Sequence, residues 1–206
     1  SQFGRLLEAL RHHGLEDETL VILVADHGEE LLERGAIGHG AHLFEEVVRV
    51  PLILRFPHGA HAGVRESAPV SLIDVAPTVL RVAGLAPLPD VPGRDLTGLL
   101  DGDGSDPAER EMFLSLHLTG DPRHLVRGVL SGSTKYLHRS QPIASEALFD
   151  LDRDPDEQVD LSGSREALRA QLAAVLEAHV AGSASGIHVR VVNDLAPHPV
   201  GCEVVL

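Results

Sequence analysis

The sequence predicts an α/β protein, with part of a sheet flanked by helices followed by a small α+β subdomain of antiparallel strands and one helix. Three observations predict this class. A continuous apolar run at 19–25 follows a helical pattern, which is typical of a strand buried in an α/β sheet. After a stretch rich in Pro, Gly and Asp at 87–107, the pattern changes to short strands. A single amphipathic helix at 165–180 follows these strands.

The first quarter of the chain contains one helix signal and two strand signals. Apolar residues recur at helical spacing at Phe3, Leu6, Leu7 and Leu10, and Gly14 is expected to end this helix. The run Thr19–Ala25 predicts a central strand covered on both faces, and its abrupt start suggests that earlier strands of the sheet are missing. A second apolar strand is predicted at Val50–Phe56, with Pro51 at its start or at a sheet edge.

A short helix is predicted at Val75–Ala83. Asp74 is suited to the N-cap position, Pro77 is tolerated in the first turn, and Gly84 is expected to end the helix. The stretch 87–107 is interpreted as a surface connection that contains one helical turn.

The second half predicts a small subdomain. Four strand candidates lie at Met112–Leu118, Leu125–Leu130, Thr134–His138 and Ala147–Leu151. The helix Arg165–Val180 has an apolar stripe at Leu168, Leu172, Val175 and Leu176. Two further strands are predicted at Ile187–Val192 and Glu203–Leu206. We therefore expect three regions: the α/β core at 1–105, the α+β subdomain at 106–182, and the start of a further β segment at 183–206.

Composition excludes several classes of function. The net charge is −14 and no basic cluster is visible, which argues against a nucleic-acid partner and against adhesion to an anionic membrane. No apolar run reaches the roughly 18 residues of a membrane-spanning helix. Cys202 is the only cysteine, so an intrachain disulfide is impossible. Lys135 is the only lysine, and the other residues of the Lys/Arg type are arginines. We interpret this scarcity of lysine as a result of the base composition of the gene and not of a chemical requirement.

Asp26 and His27 follow directly after the apolar run, where an α/β sheet collects its ligands and catalytic groups. A carboxylate and a neutral imidazole are both ligands for divalent metals. Gly28 allows the backbone to turn away without a Cβ clash. Taken alone, however, these three residues favour an ordinary capped turn.

The longer stretch from Asp26 to Pro51 distinguishes these interpretations. It contains D-H-G-E, a Gly-rich loop with G-H-G, an aromatic residue followed by acidic residues, and R-V-P-L at the next strand. It resembles the sulfatase family of the alkaline-phosphatase superfamily. Further similarity lies in three segments: S-L-I-D-V-A-P-T-V-L at 71–80, G-R-D-L at 93–96, and L-F-D-L-D-R-D-P-D-E at 148–157. The resemblance covers about residues 1–180 and implies an alkaline-phosphatase-like sheet.

The resemblance assigns roles to three residues. Asp26 and His27 match the second pair of metal ligands in this family. His39 stands where many members place a lysine or histidine that contacts the sulfate of the substrate. The family uses calcium, whereas the imidazole of His27 also makes manganese or zinc suitable.

Other residues near the motif are assigned less active roles. His42 is expected to be a loop or surface histidine, and Arg49 to orient the start of the next strand. Glu29 and Glu30 are interpreted as solvated loop carboxylates rather than groups that support the site. Arg94, Asp150 and Asp154 are interpreted as turn and packing signals.

The family mechanism requires a nucleophile that this sequence does not contain. The nucleophile derives from a Cys or Ser in a C/S-x-P-x-R motif, but Cys202 is followed by E-V-V and Ser67 lacks the required Arg. We therefore expect a C-terminal half of the catalytic domain, inactive alone and completed by an N-terminal half. The family habit implies a periplasmic, membrane-anchored or extracellular location, with no membrane contact from this segment.

Three functions stay open at this point. The leading one is metal-dependent hydrolysis of a sulfate ester of a small molecule or glycan. The second is hydrolysis of phosphodiesters or phosphonates, or phosphoglycerol transfer, on the same scaffold. The third is a non-catalytic structural or binding module. An unrelated doubly wound domain with a chance D-H-G turn is a weaker alternative.

Overall fold

The computed structural model describes residues 1–102, 110–117, 125–141 and 143–183, and the backbone of 188–193 and 200–205. The ends of three predicted strands, at Leu118, Ile187 and Leu206, lie outside the described residues. Two compact units make up the chain: Ser1–Asp26 with Pro51–Pro107, and His27–Val50 with Ala108–Leu206. The boundary at Pro107 lies near the one expected at 105, but the segment 27–50 belongs to the second unit. The assignment of three domains stays a prediction.

The first unit contains helices and one strand pair. Helix α1 spans Gln2–His12, and the Ser1 side chain accepts a hydrogen bond from Gly4 N at 3.2 Å. Gly14, at φ 66°, ends the helix as predicted, in a conformation that glycine adopts without strain. The short strands β1 (Val21–Val24) and β4 (Leu52–Arg55) pair with each other.

The environment of β1 differs from the prediction. The apolar run predicts a central strand covered on both faces, which is typical of a parallel sheet. However, β1 pairs antiparallel with β4, from Val21 opposite Arg55 to Val24 opposite Leu52. Leu23 and Val24 are also 36% and 38% exposed, so neither face is fully covered within the described residues. The run predicts the strand correctly, but hydrophobicity alone does not report the direction of the neighbouring strand.

Helix α3 spans Val75–Val82, close to the prediction, but Asp74 does not cap it with its side chain. Instead the fully buried Asp74 carboxylate accepts hydrogen bonds from Ser71 N and Arg94 N, both at 2.8 Å. The expected single helical turn in the following stretch is α4, Thr97–Asp101. The backbone N–H of Arg94 thus connects its turn to Asp74 at the start of α3. This contact agrees with the interpretation of Arg94 as a turn and packing signal.

The second unit is built around a four-stranded antiparallel sheet. Its strands β5 to β8 are Glu111–His117, Leu125–Ser131, Thr134–Arg139 and Ser145–Asp150, paired in chain order. Helix α5, Glu166–Ser183, packs Leu172 and Leu176 against Val129, Tyr136 and Leu148. A separate cluster joins Leu43 to Leu116, Val126, Leu137 and Phe149. The predicted strands and helix are confirmed here.

Shorter elements complete the second unit. A short hairpin pairs β2 (Glu30–Leu31) with β3 (Ile37–Gly38), and α2 spans Glu45–Val48. Near the C-terminus, β9 (His188–Asn193) pairs antiparallel with β10 (Val200–Val205). In the turn after β8, the Asp154 carboxylate accepts from Gln158 N and Val159 N, which agrees with its interpretation as a turn signal. Among the described helices, none has the length and apolar character needed to cross a bilayer.

Tyr136→Phe is expected to lower the free energy of unfolding at pH 7 by about 1 kcal/mol. The buried Tyr136 hydroxyl donates to Glu146 Oε1 at 2.6 Å, and this hydrogen bond is the main cause that lowers the pKa of Glu146. A lowered carboxylate pKa stabilises the fold above the unfolded value of about 4.3, and this contribution is lost as the pH falls through the folded-state pKa. Urea denaturation should therefore show a smaller difference from wild type at pH 3 than at pH 7. An equal or larger difference at pH 3 would contradict this explanation.

Candidate metal centre

The hairpin of β2 and β3 brings two predicted loop residues together. Glu30 is paired with Gly38, so the flanking Glu29 and His39 face each other across the hairpin. The distance from His39 Nδ1 to Glu29 Oε2 is 3.1 Å. Glu29 is an exposed loop carboxylate, as expected, and its side chain also contacts a specific partner.

His27 completes the group. Its ring lies 3.9 Å from the ring of His39, measured between centroids. One ligand atom from each of His27, Glu29 and His39 lies within 4.8 Å of the others. Atoms bound to one ion at about 2.1 Å lie at most about 4.2 Å apart, so only a small closing movement is needed for all three to bind together.

The hydrogen bonds in the group determine which nitrogen atoms remain as ligands. His27 Nδ1 lies 2.8 Å from Gly28 O, and a ring nitrogen facing a carbonyl oxygen carries the proton. The Nε2 atom of His27 then carries the lone pair that a metal requires, an arrangement typical of metal-binding histidines. His39 Nδ1 faces a carboxylate in the same way. Neutral His39 can therefore bind a metal through Nε2, whereas protonated His39 offers an Nε2–H donor to an anion.

Asp26 is exposed and is the last residue of the first unit, while His27 is the first residue of the second. The roles of Asp26 and His27 as metal ligands, and of His39 as an anion contact, stay predictions. The structure supports a group of His27, Glu29 and His39 as the set that could hold a divalent ion. Two imidazoles and one carboxylate suit such an ion chemically.

Two further residues have roles that the sequence did not reveal. His42 is 9% exposed and Glu30 is 3% exposed, and His42 Nε2 lies 2.9 Å from Glu30 Oε2. The other Glu30 oxygen accepts hydrogen bonds from Arg34 N and Ala36 N, so Glu30 fixes the hairpin from inside. The hydrogen bond from His42 is the main cause that lowers the pKa of Glu30. His42 lies in a loop, as expected, but it is buried rather than on the surface. The expectation of a solvated Glu30 is wrong.

Helix α2 packs directly on the backbone of the candidate site. Gly28 N donates to Val47 O at 2.7 Å, and a Cβ at position 28 would lie 2.1 Å from Glu46 O. A side chain at position 28 therefore has no room. Arg49, which follows α2, is exposed, and its backbone N–H donates to Glu45 O at 2.9 Å.

Comparison with known proteins agrees with this fold. Residues 1–85 match the sequence profile of the sulfatase family. An N-acetylglucosamine-6-O-sulfatase of Bacteroides thetaiotaomicron is 31% identical over 172 residues, which are 82% of this chain and 31% of that protein. A steryl-sulfatase of Mus musculus is 41% identical over 125 residues, which are 53% of this chain and 20% of that protein.

Solved structures show the same relationship. A protein in complex with its substrate D-glucosamine-2-N,6-O-disulfate superposes with a TM-score of 0.73 at 30% identity, covering 85% of this chain and 37% of that one. The phosphonate monoester hydrolase of Agrobacterium radiobacter shares the fold, with a TM-score of 0.75, 24% identity, and coverage of 97% and 42%.

The fold is therefore that of the alkaline-phosphatase-like hydrolases. Within that class, this chain belongs to the sulfatase family. The chain spans about a third of the length of the Bacteroides relative.

Proposed function

We propose that the protein hydrolyses sulfate esters in a metal-dependent reaction, and that this chain supplies part of the active site. The observation that carries the proposal is the group of His27, Glu29 and His39, which lies in the sulfatase-matching region after β1. The relatives named as sulfatases support the substrate class, since the Bacteroides and mouse proteins act by name on a sulfated sugar and a sulfated sterol.

The residues of the site have distinct tasks in this proposal. Asp26, His27 and Glu29 hold the ion, which when bound would offset negative charge on the sulfate group. His39 in its protonated form donates a hydrogen bond from Nε2 to a sulfate oxygen, and Glu29 orients the ring from the other side. This chain contains no C/S-x-P-x-R motif. In this proposal the nucleophile therefore comes from residues outside the chain.

The donor set also guides the choice of ion. Calcium prefers oxygen ligands, whereas imidazole nitrogen suits manganese and zinc. The imidazole of His27 among the proposed ligands therefore favours manganese or zinc over calcium at this site. By the habit of the family, we further propose a periplasmic, membrane-anchored or extracellular location.

Hydrolysis of phosphoryl esters is the second candidate function, because imidazole-rich metal sites also suit phosphoryl chemistry. Purified whole protein, expressed with the residues that precede this chain in its gene, separates the two candidates. We expect the kcat/KM for 4-nitrophenyl sulfate to exceed that for 4-nitrophenyl phosphate and 4-nitrophenyl phenylphosphonate by about 100-fold, equivalent to about 2.7 kcal/mol.

A control variant and two contrary results complete this test. His12→Ala, which changes an exposed histidine of α1, should leave kcat/KM unchanged. A preference for the phosphonate would replace the proposal with the second candidate. Metal binding without any ester hydrolysis would support a non-catalytic module instead.

A further inference from the structure

The only lysine of the chain is buried between two carboxylates. Lys135 Nζ lies 2.9 Å from Glu45 Oε1 and 3.0 Å from Glu157 Oε1. The side chains of Lys135 and Glu157 are fully buried, and that of Glu45 is 18% exposed. Burying a charged lysine without a charged partner costs a large free energy. The triad of Lys135, Glu45 and Glu157 is therefore held in this arrangement, since separating its members would leave a buried charge unpaired.

Glu157 also connects the triad to the backbone around it. Its second oxygen, Oε2, accepts a hydrogen bond from Glu45 N at 2.7 Å. The carbonyl oxygens of Asp156 and Glu157 accept from the Arg34 guanidinium at 3.0 and 3.4 Å. Burial raises the pKa of Glu157, while the Lys135 charge opposes this rise. Glu157 therefore holds both the start of α2 and the tip of the hairpin.

A continuous series of contacts leads from the triad to the candidate metal centre. Glu45 is the first residue of α2, and the Val47 carbonyl of that helix accepts the Gly28 N–H at 2.7 Å. Gly28 lies between His27 and Glu29 in the sequence. Any shift of α2 therefore moves the backbone that carries two of the three candidate ligands.

We propose that Lys135 and Glu157 are positioning residues for the metal centre, acting through Glu45 and α2. This inference rests on the proposed function, since it assigns the triad a task in metal binding. A buried ion pair adds little net stability to a fold, because removing both charges from water costs about as much as their attraction gains. Such a pair can instead hold the groups around it in one fixed geometry. Supporting residues of metal sites typically change affinity by 10–100-fold when they are removed.

The structure offers a matched control on the opposite face of the same strand. Tyr136, next to Lys135 in β7, packs on α5 and donates to Glu146. Tyr136→Phe therefore removes a buried polar contact of the same sheet without touching α2. It should weaken the fold without weakening metal binding.

The test is a titration of the whole protein with Mn²⁺ and Zn²⁺ at a temperature where circular dichroism shows each variant folded. For Lys135→Met/Glu157→Gln, we expect the Kd to rise about 10-fold. For Tyr136→Phe, we expect a Kd within about twofold of wild type. Glu45→Gln keeps the Lys135–Glu157 pair, so it should fold even if the double variant does not, and should raise the Kd about threefold.

Each contrary outcome has a defined meaning. Unchanged affinity in both Lys135→Met/Glu157→Gln and Glu45→Gln would overturn the positioning role while leaving the metal centre intact. Equal weakening by Tyr136→Phe would show that loss of stability, and not positioning, lowers the affinity. Absence of metal binding in the wild-type protein would refute the proposed function itself, and the inference with it.

Discussion

His27→Ala should lower the affinity of the whole protein for Mn²⁺ or Zn²⁺ by at least about 100-fold, because supporting residues alone account for 10–100-fold and His27 is proposed as a direct ligand. The His27 Nδ1 atom is held by Gly28 O, so the ring presents Nε2 in a fixed orientation. Alanine removes this ligand and leaves Asp26 and Glu29 as the other proposed ligands from this chain. Isothermal titration calorimetry measures the change directly.

The control for this variant is His12→Ala, which removes an exposed imidazole of α1. Its affinity should match that of wild type, because the prediction depends on one site and not on the total number of histidines. A His27→Ala protein that binds within threefold of wild type would show that the ion is held elsewhere or that His27 does not bind it.

Gly28→Ala should destabilise the fold by about 1–3 kcal/mol and should also weaken metal binding. The new Cβ would lie 2.1 Å from Glu46 O and 3.0 Å from Glu46 C. These are backbone atoms, so the clash can be relieved only if α2 or the loop from His27 to Glu29 moves. Urea denaturation gives the change in stability, and a Mn²⁺ titration below the transition gives the change in affinity.

Gly93→Ala is the matched control for Gly28→Ala. A Cβ at position 93 would lie 2.1 Å from Ile73 O, which is also a backbone atom, but in the first unit. We expect a similar loss of stability and an unchanged Kd for the metal. If Gly28→Ala leaves both quantities at their wild-type values, the close packing of α2 on the site is not as described.

Sequence patterns predict the larger elements because each buries an apolar face. The strand run at 19–25 and the helix at 165–180 have the length and spacing that make periodicity informative. The hairpin of β2 and β3 and the helix α2 escape such patterns, because their strands and helix span only two to four residues each. Elements this short contain too few positions to show a period.

The candidate site is predictable in part. Asp26, His27 and His39 are identified from a family motif, whereas local composition suggests only a solvated side chain for Glu29. The contact of Glu29 with His39 depends on the register of the hairpin, in which Glu30 is opposite Gly38. Register comes from three-dimensional pairing, so local composition does not show it. Gly35 and Gly38, which lie between Glu29 and His39, are the one sequence signal that favours a hairpin there.

Lys135 shows a further limit of composition. Its rarity in the chain suggests the base composition of the gene, but its side chain is fully buried between Glu45 and Glu157. Glu45 lies 90 residues before it in the chain, and Glu157 lies in the turn after β8. A buried charge pair across such a distance has no local sequence signature. The only hint in the sequence is that Lys135 is the single lysine among 17 Lys and Arg residues.

Crystals grown with Mn²⁺ and measured by anomalous diffraction test most directly whether His27 and Glu29 hold a metal ion beside His39. We expect one strong anomalous peak per chain within about 2.0–2.3 Å of His27 Nε2 and a Glu29 carboxylate oxygen. The peak should disappear in crystals of His27→Ala. A peak that lies away from His27, Glu29 and His39, or one that persists in His27→Ala, would contradict the proposed metal centre.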